Sequence, residues 1–224
     1  MVCSQAYCLD DFIEAFFWIL FGAPMTFYEQ LRAAAVALGA AWNSAEGAIN
    51  IVGVRNTVDL HSNKFNDLIC VAYTSDSYGP SVLICEGTTD PGVYWRTNLA
   101  NVNGTAVLIR GHHKRLWKHG MHQGKYEALV QLSPVTVWRD AGRDEMLDIG
   151  EAQQTGMFGI NLHRAGEFVT SKLVDKWSAG CQVVASPKQF NQLLMLAKYH
   201  GKLFGNVFDY TLLHDVDVGL KWGV

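Results

Sequence analysis

Beyond Gly47 the chain is written as short apolar runs, each closed by turn-forming residues such as glycine, proline, asparagine, aspartate or serine. Nine of them follow one another, at residues 49–54, 68–73, 81–85, 105–109, 127–132, 135–138, 158–163, 181–185 and 208–213. Runs this short match single buried strands better than helices, which need more length to bury a face. Val, Ile, Thr and aromatic side chains dominate them, and these pack well on a pleated surface. The expected architecture is mainly β, in one domain, with helices at its margins.

Two helices are predicted. Leu31, Ala34, Ala35, Leu38 and Trp42 recur at helical spacing over residues 27–42, and Thr26 with Glu29 supplies a capping-box start. A second helix begins after Ser186 with Pro187 in its first turn and buries Phe190, Leu193, Leu194 and Ala197. It is expected to stop at Gly201.

The apolar stretch at residues 12–21 is about half the ~20 residues that a membrane-spanning helix requires. It contains Glu14, and Asp10 and Asp11 stand where an export signal would carry basic residues. Neither an export signal nor stable membrane insertion is expected, so synthesis would be cytoplasmic. Residues 1–25 read as an N-terminal extension, or as sequence upstream of a true start at Met25. Residues 26–224 then form the single catalytic domain.

Hydrophobic residues make up 49% of the chain and charged residues 17%, which supports a sizeable core and excludes disorder. The net charge is −3 and no Lys/Arg run exceeds two residues, so no basic field exists to neutralise a nucleic-acid backbone. No glycine-rich phosphate loop is present and no cofactor is expected. The five cysteines, Cys3, Cys8, Cys70, Cys85 and Cys181, contain no C-x-x-C pair, and their odd number leaves at least one thiol unpaired.

One constellation has the composition of a nucleophilic site. An apolar run ends at His163, a polar loop follows, and Ser178-Ala179-Gly180-Cys181 then turns into the next apolar run. A cysteine nucleophile acts as its thiolate, and an imidazole within hydrogen-bond reach in the fold can take the proton. Two adjacent strands joined by one loop can bring their ends that close. Gly180 permits a strained turn that aims amide N–H groups at a developing oxyanion.

His163, eighteen positions before Cys181 with Ser178 and Gly180 between, resembles the signature of the L,D-transpeptidase catalytic domain. The segment from Glu86 through Asp90, Pro91 and Gly92 resembles that domain's Thr-Pro-x-Gly turn. The resemblance implies a β-sandwich or barrel-like catalytic domain with two or three peripheral helices. It implies a cysteine acyltransferase or peptidase acting on peptidoglycan stem peptides. Its acyl-enzyme would pass to an amine (cross-linking) or to water (trimming or cleavage). Cys181 would be the nucleophile and His163 the base, with the Arg164 carbonyl orienting the imidazole. Gly180 and Cys181 would supply oxyanion N–H groups, and Ser178 would support the turn. Trp177 beside the turn would wall the substrate. The chain departs from the pattern at Ala179, where the family usually has histidine, and at Val183, where it has arginine or asparagine. Such divergent, stand-alone forms fit a wall-cutting lysis protein of phage origin, reaching the wall after holin-dependent release.

Four of the eight histidines, His112, His113, His119 and His122, fall in one stretch around Trp117. The spacing is not that of H-E-x-x-H and the stretch holds no carboxylate. It reads as a polar flap over the cleft, with His113 and Trp117 available to substrate. Residues 140–151 place Asp140, Asp144, Asp148 and Glu151 at calcium-loop positions, but Glu145 occupies the glycine position, so a solvated turn is expected. Two other function classes stay open. They are a metal-dependent wall hydrolase using the histidine stretch, and a non-catalytic wall-binding module.

Overall fold

In the computed structural model, which describes residues 24–222 apart from Ser62 and Glu151, every one of the nine apolar runs contributes a strand. The readings for the apolar stretch at residues 12–21 lie outside the described residues. Strands β1 (Ile49–Arg55), β2 (Asp67–Ser75), β3 (Gly79–Thr88), β4 (Thr105–Leu108), β5 (Gly111–His122), β6 (Tyr126–Gln131), β7 (Val135–Asp140), β8 (Gln153–Gly156), β9 (Leu162–Arg164), β10 (Gln182–Val184) and β11 (Phe208–His214) build two sheets. Eight close into a barrel in the order β1-β11-β5-β6-β9-β10-β3-β2, and β4-β7-β8 form a small second sheet. The fold is mainly β, as expected. Within the barrel β1 runs parallel to β11 and β9 parallel to β10, whereas the other pairs are antiparallel.

Strand β5 corrects the flap reading. The stretch from Gly111 to His122 is a barrel stave between β11 and β6, and its Leu116 and Trp117 are fully buried. The Trp117 indole N–H donates to the Ile160 carbonyl at 2.8 Å, and its ring lies 4.5 Å from that of Tyr210. It packs the core and cannot meet a substrate. A bulge hides the strand from periodicity: Arg115 has φ +52° and the register to β11 shifts between Phe208 and Tyr210. Two successive side chains, Leu116 and Trp117, consequently face inward.

Three helices sit outside the barrel. Helix α1 (Phe27–Ala37) starts at the predicted box, with Glu29 N–H donating to Thr26 Oγ1 and Thr26 N–H to Glu29. It ends before Trp42, because Gly39 takes φ +90° and the chain doubles back. Trp42 then stacks edge-on against Tyr28 and donates to its hydroxyl at 3.0 Å. Helix α2 (Val93–Thr97) is a single turn. Helix α3 (Pro187–Phe204) buries Phe190, Leu193, Leu194 and Ala197 as predicted, but runs through Gly201 to Gly205, which has φ +99°. Contacts around Gly201 offset its poor helix propensity. The His200 Nδ1 accepts the Ile49 N–H at 3.0 Å, and its ring lies 5.1 Å from that of Phe204. Among the described residues no helix is long and apolar enough to cross a membrane.

The core contains one polar chain that positions β10. Arg55, Asp67, Thr89, Gln182 and Tyr210 are all buried. Arg55 pairs with Asp90 at 2.8 Å and donates to Thr89 and to the Leu108 carbonyl. Asp67 accepts from the Asn56 and Thr89 amides and the Thr89 hydroxyl. Gln182 accepts from the Tyr210 hydroxyl at 2.7 Å and donates to the Thr89 carbonyl. A buried amide satisfied on both ends has one orientation. The residue after Cys181 is therefore locked in place.

Candidate active site

Strands β9 and β10 pair in parallel with Val183 opposite His163 and Gln182 opposite Leu162. Side chains alternate along a strand, so Cys181, two residues before Val183, leaves the sheet on the same face as His163. From a rise of ~3.3 Å per residue and a strand spacing of ~4.8 Å, their Cα atoms are about 8 Å apart. Cys181 is half-buried, packed against the small cluster of Phe65, Ala165, Val174, Val183 and Ala185. Cys70 and Cys85 lie in the core with thiols that burial pushes well up, the latter to about 12. They are structural.

The turn before β10 is held from two sides. Ser178 is buried; its hydroxyl accepts the Gly180 N–H at 3.1 Å and donates to the Cys181 carbonyl at 2.8 Å. Gly180 has φ +124°, and a β-carbon there would run into the Ala106 carbonyl, so only glycine fits. The Gly180 N–H expected to face an oxyanion is thus already used by Ser178. The Cys181 N–H has no acceptor among the described residues and remains for that role. The upstream segment that carries the second resemblance touches this turn: the Gly92 N–H donates to the Ser178 carbonyl at 2.8 Å, and the Trp95 indole to the Lys176 carbonyl at 3.0 Å.

The imidazole is fixed through Nδ1. It lies 2.8 Å from the Arg164 carbonyl and 3.1 Å from the Tyr126 hydroxyl, which itself reaches the same carbonyl at 3.3 Å. A carbonyl only accepts, so Nδ1 carries the proton and Nε2 carries the lone pair. His122 stacks on the other face, ring centroids 4.2 Å apart, and accepts from the Asn161 amide at 3.1 Å. The Arg164 guanidinium covers the Tyr126 ring at 4.3 Å. Burial, then the neighbouring His122 and Arg164, pull His163 down to about 3. Burial pushes Cys181 up to about 11, with the Asn161 N–H opposing it as a donor to the sulfur. The thiol donates to the Gly159 carbonyl at 3.2 Å. The resting pair is therefore a neutral thiol and a neutral imidazole, not an ion pair.

Other predicted residues fall elsewhere. Trp177 is 44% exposed beside the turn, free to contact a ligand. His113 faces the barrel interior against Tyr210; its Nε2 bonds the Ile109 carbonyl at 2.9 Å and burial holds it at about 4. Like Trp117, it is turned toward Tyr210. The remaining histidines of that stretch diverge because neighbours on a strand point to opposite faces. His112 turns to Thr211 and Asp209, His119 to Glu127, and His122 to His163. Among the described residues no three His, Cys, Asp or Glu side chains gather as metal ligands would need.

The acidic loop is a solvated turn over residues 141–146, all of them exposed, but its first acid is anchored. Asp140 is fully buried and paired with the buried guanidinium of Arg96 from α2, Nε to Oδ2 2.8 Å. The same guanidinium reaches Asp144 at 3.5 Å and donates to the Met146 carbonyl. A side-chain cation stands at the centre of this loop; Glu151 lies outside the described residues.

Tyr126, His122, Asn161 and Gly159 belong to the site yet carry no motif of their own. A comparison with protein-family models, with curated proteins and with solved structures finds no match to this chain.

Proposed function

We propose that this chain is a cysteine acyl-transfer enzyme acting on peptidoglycan stem peptides, in the manner of the L,D-transpeptidases that its Cys181 and His163 segments resemble. The observation that carries the reading is the half-buried Cys181 on one sheet face with an imidazole whose Nδ1 is tied to the Arg164 carbonyl. That arrangement leaves Nε2 as base.

In the first half-reaction Nε2 takes the thiol proton as sulfur attacks a peptide carbonyl, and the Cys181 N–H faces the developing oxyanion. Collapse expels the amine, which receives the proton from the imidazolium, and leaves a thioester. In the second half-reaction water or an acceptor amine gives a proton to Nε2 and its electron pair to the thioester carbonyl; the thiol leaves with that proton. Water yields trimming or cross-link cleavage, and an amine yields a new cross-link. The neutral resting pair fits a thiol that ionises only as substrate arrives and displaces its bond to the Gly159 carbonyl.

The test is intact mass after exposure to a stem tetrapeptide or a carbapenem. An adduct that is absent in Cys181→Ala is expected. No adduct in the unaltered protein under reducing conditions overturns the proposal. Mass spectrometry of digested peptidoglycan then separates transfer from hydrolysis.

A further inference from the structure

Among the described residues one buried arginine has no anion. Arg139, on β7 opposite Ala106 of β4, is only 9% exposed, and everything its guanidinium touches is neutral. Nε donates to the Gln154 side-chain oxygen at 2.7 Å, Nη1 donates to the Gly104 carbonyl at 3.1 Å, and the group lies 4.7 Å over the Phe158 ring. Nη2 has no acceptor among the described residues. The other buried guanidiniums differ: Arg55 pairs with Asp90 and Arg96 with Asp140. A charge taken out of water without a partner is unfavourable, and burial accordingly lowers the affinity of Arg139 for its proton.

This guanidinium lines a cleft of about 300 Å³ with Trp95, Gly104, Ala106, Phe158 and Ala179. Two of its lining residues are close along the chain to residues of the candidate active site. Ala179 is two residues before Cys181, and Phe158 precedes Gly159, whose carbonyl accepts the thiol. Asn101 and Thr105 add neutral polar groups and the other walls are apolar or backbone, suited to a short aliphatic body that carries one charged end. Exposed Ala179 leaves the passage open where a larger residue would narrow it.

We propose that this cleft is a subsite for a carboxylate of the peptide on which Cys181 acts, with Arg139 as the cation that reads it. The proposal rests on the acyl-transfer reading for the identity of the ligand as a peptide. The Nη2 donor would make a charge-assisted bond to one carboxylate oxygen, with Phe158 holding the guanidinium plane in place. Arg139 acts here in binding, at a distance from the reacting atoms set by Ala179 and Gly180.

The experiment uses the Cys181→Ala protein, which cannot turn over, and two probes measured by calorimetry: N-acetyl-lysyl-D-alanine and its C-terminal carboxamide. The carboxylate is expected to bind about tenfold to a hundredfold more tightly than the amide, the range for a hydrogen bond to a charged group. Adding Arg139→Gln should bring the two affinities together, and Arg139→Lys should restore part of the difference. Ala179→Leu, which narrows the cleft without touching the guanidinium, should weaken both probes. Equal affinity of the two probes, absence of binding by both, or a ratio that survives in folded Arg139→Gln each overturns the subsite. If Arg139→Gln fails to fold, the probe pair and Ala179→Leu decide alone. A carboxylate preference here, combined with no acyl-enzyme in the unaltered protein, would remove the catalytic reading and keep the subsite.

Discussion

The neutral state of Cys181 and His163 has a measurable consequence in thiol chemistry without any substrate. Burial moves the Cys181 thiol from its ordinary 9.0 to about 11. At pH 8 a thiol at 9.0 is about 9% ionised and one at 11 about 0.1%, roughly ninetyfold less. The more basic thiolate is the better nucleophile, and a Brønsted slope of ~0.4–0.5 returns about eightfold over that interval. Exchange with a small neutral disulfide should therefore be about tenfold slower at Cys181 than at an unperturbed cysteine. Its rate should climb about tenfold per pH unit from 7 to 10. Peptide-level mass spectrometry isolates Cys181 from the other thiols. His163→Ala should change this resting rate by no more than about twofold, because no thiolate–imidazolium pair exists to lose, while it abolishes formation of the acyl-enzyme. A rate that is flat between pH 6 and 9, or that collapses in His163→Ala, would show a standing ion pair and refute the reasoning.

Three further outcomes follow from the same geometry. Tyr126→Phe removes the hydroxyl that lies 3.1 Å from His163 Nδ1; acyl-enzyme formation in stopped-flow should slow by about twofold to tenfold, in keeping with one neutral hydrogen bond. Arg96→Met leaves the buried Asp140 carboxylate without its cation, and urea unfolding should register a loss of about 3–5 kcal/mol. His163 and His113 are held neutral down to about 3 and 4, below the 6.5 at which they ionise when unfolded. Their contribution to stability is full above pH 6.5 and falls as pH drops toward those values. Asp67, raised to about 7 by burial and by Asp90, works in the opposite sense and loses its contribution as pH rises from about 4 to 7. Thermal melts should show that His113→Phe flattens the decline between pH 6.5 and 4 relative to the parent.

Strands dense in Val, Ile, Leu and aromatic residues, such as β1, β2 and β11, could be read directly from the sequence. Two strands could not. The bulge at Arg115 puts Leu116 and Trp117 on the same side and breaks the alternation of β5, while His and Lys occupy its outer positions. Strand β8 carries only Gln, Thr and Gly on an exposed edge, so it has no apolar signal at all. The same limit applies to the site. Cys181, His163, Ser178 and Gly180 are close in sequence, and their spacing marks them as candidates. Tyr126 and His122 arrive across the β5–β6 hairpin, through the pairing of Leu129 with Leu162, and only the topology brings them to His163. Arg139 was invisible for a different reason: an arginine late in a strand reads as a solvated edge until its burial is known.

The parallel zipper between β1 and β11 makes the first and last staves of the barrel neighbours. On a ribosome the cylinder stays open until Phe208–His214 has emerged, since the seam needs its final partner and such long-range pairings form slowly. Until then the unpaired edges of β1 and β5 are exposed together, each a template for stray strands. Shortening the chain before Phe208 would thus cost far more than seven residues of contact: it would leave a gutter where there had been a tube, with an aggregation-prone lip on either side.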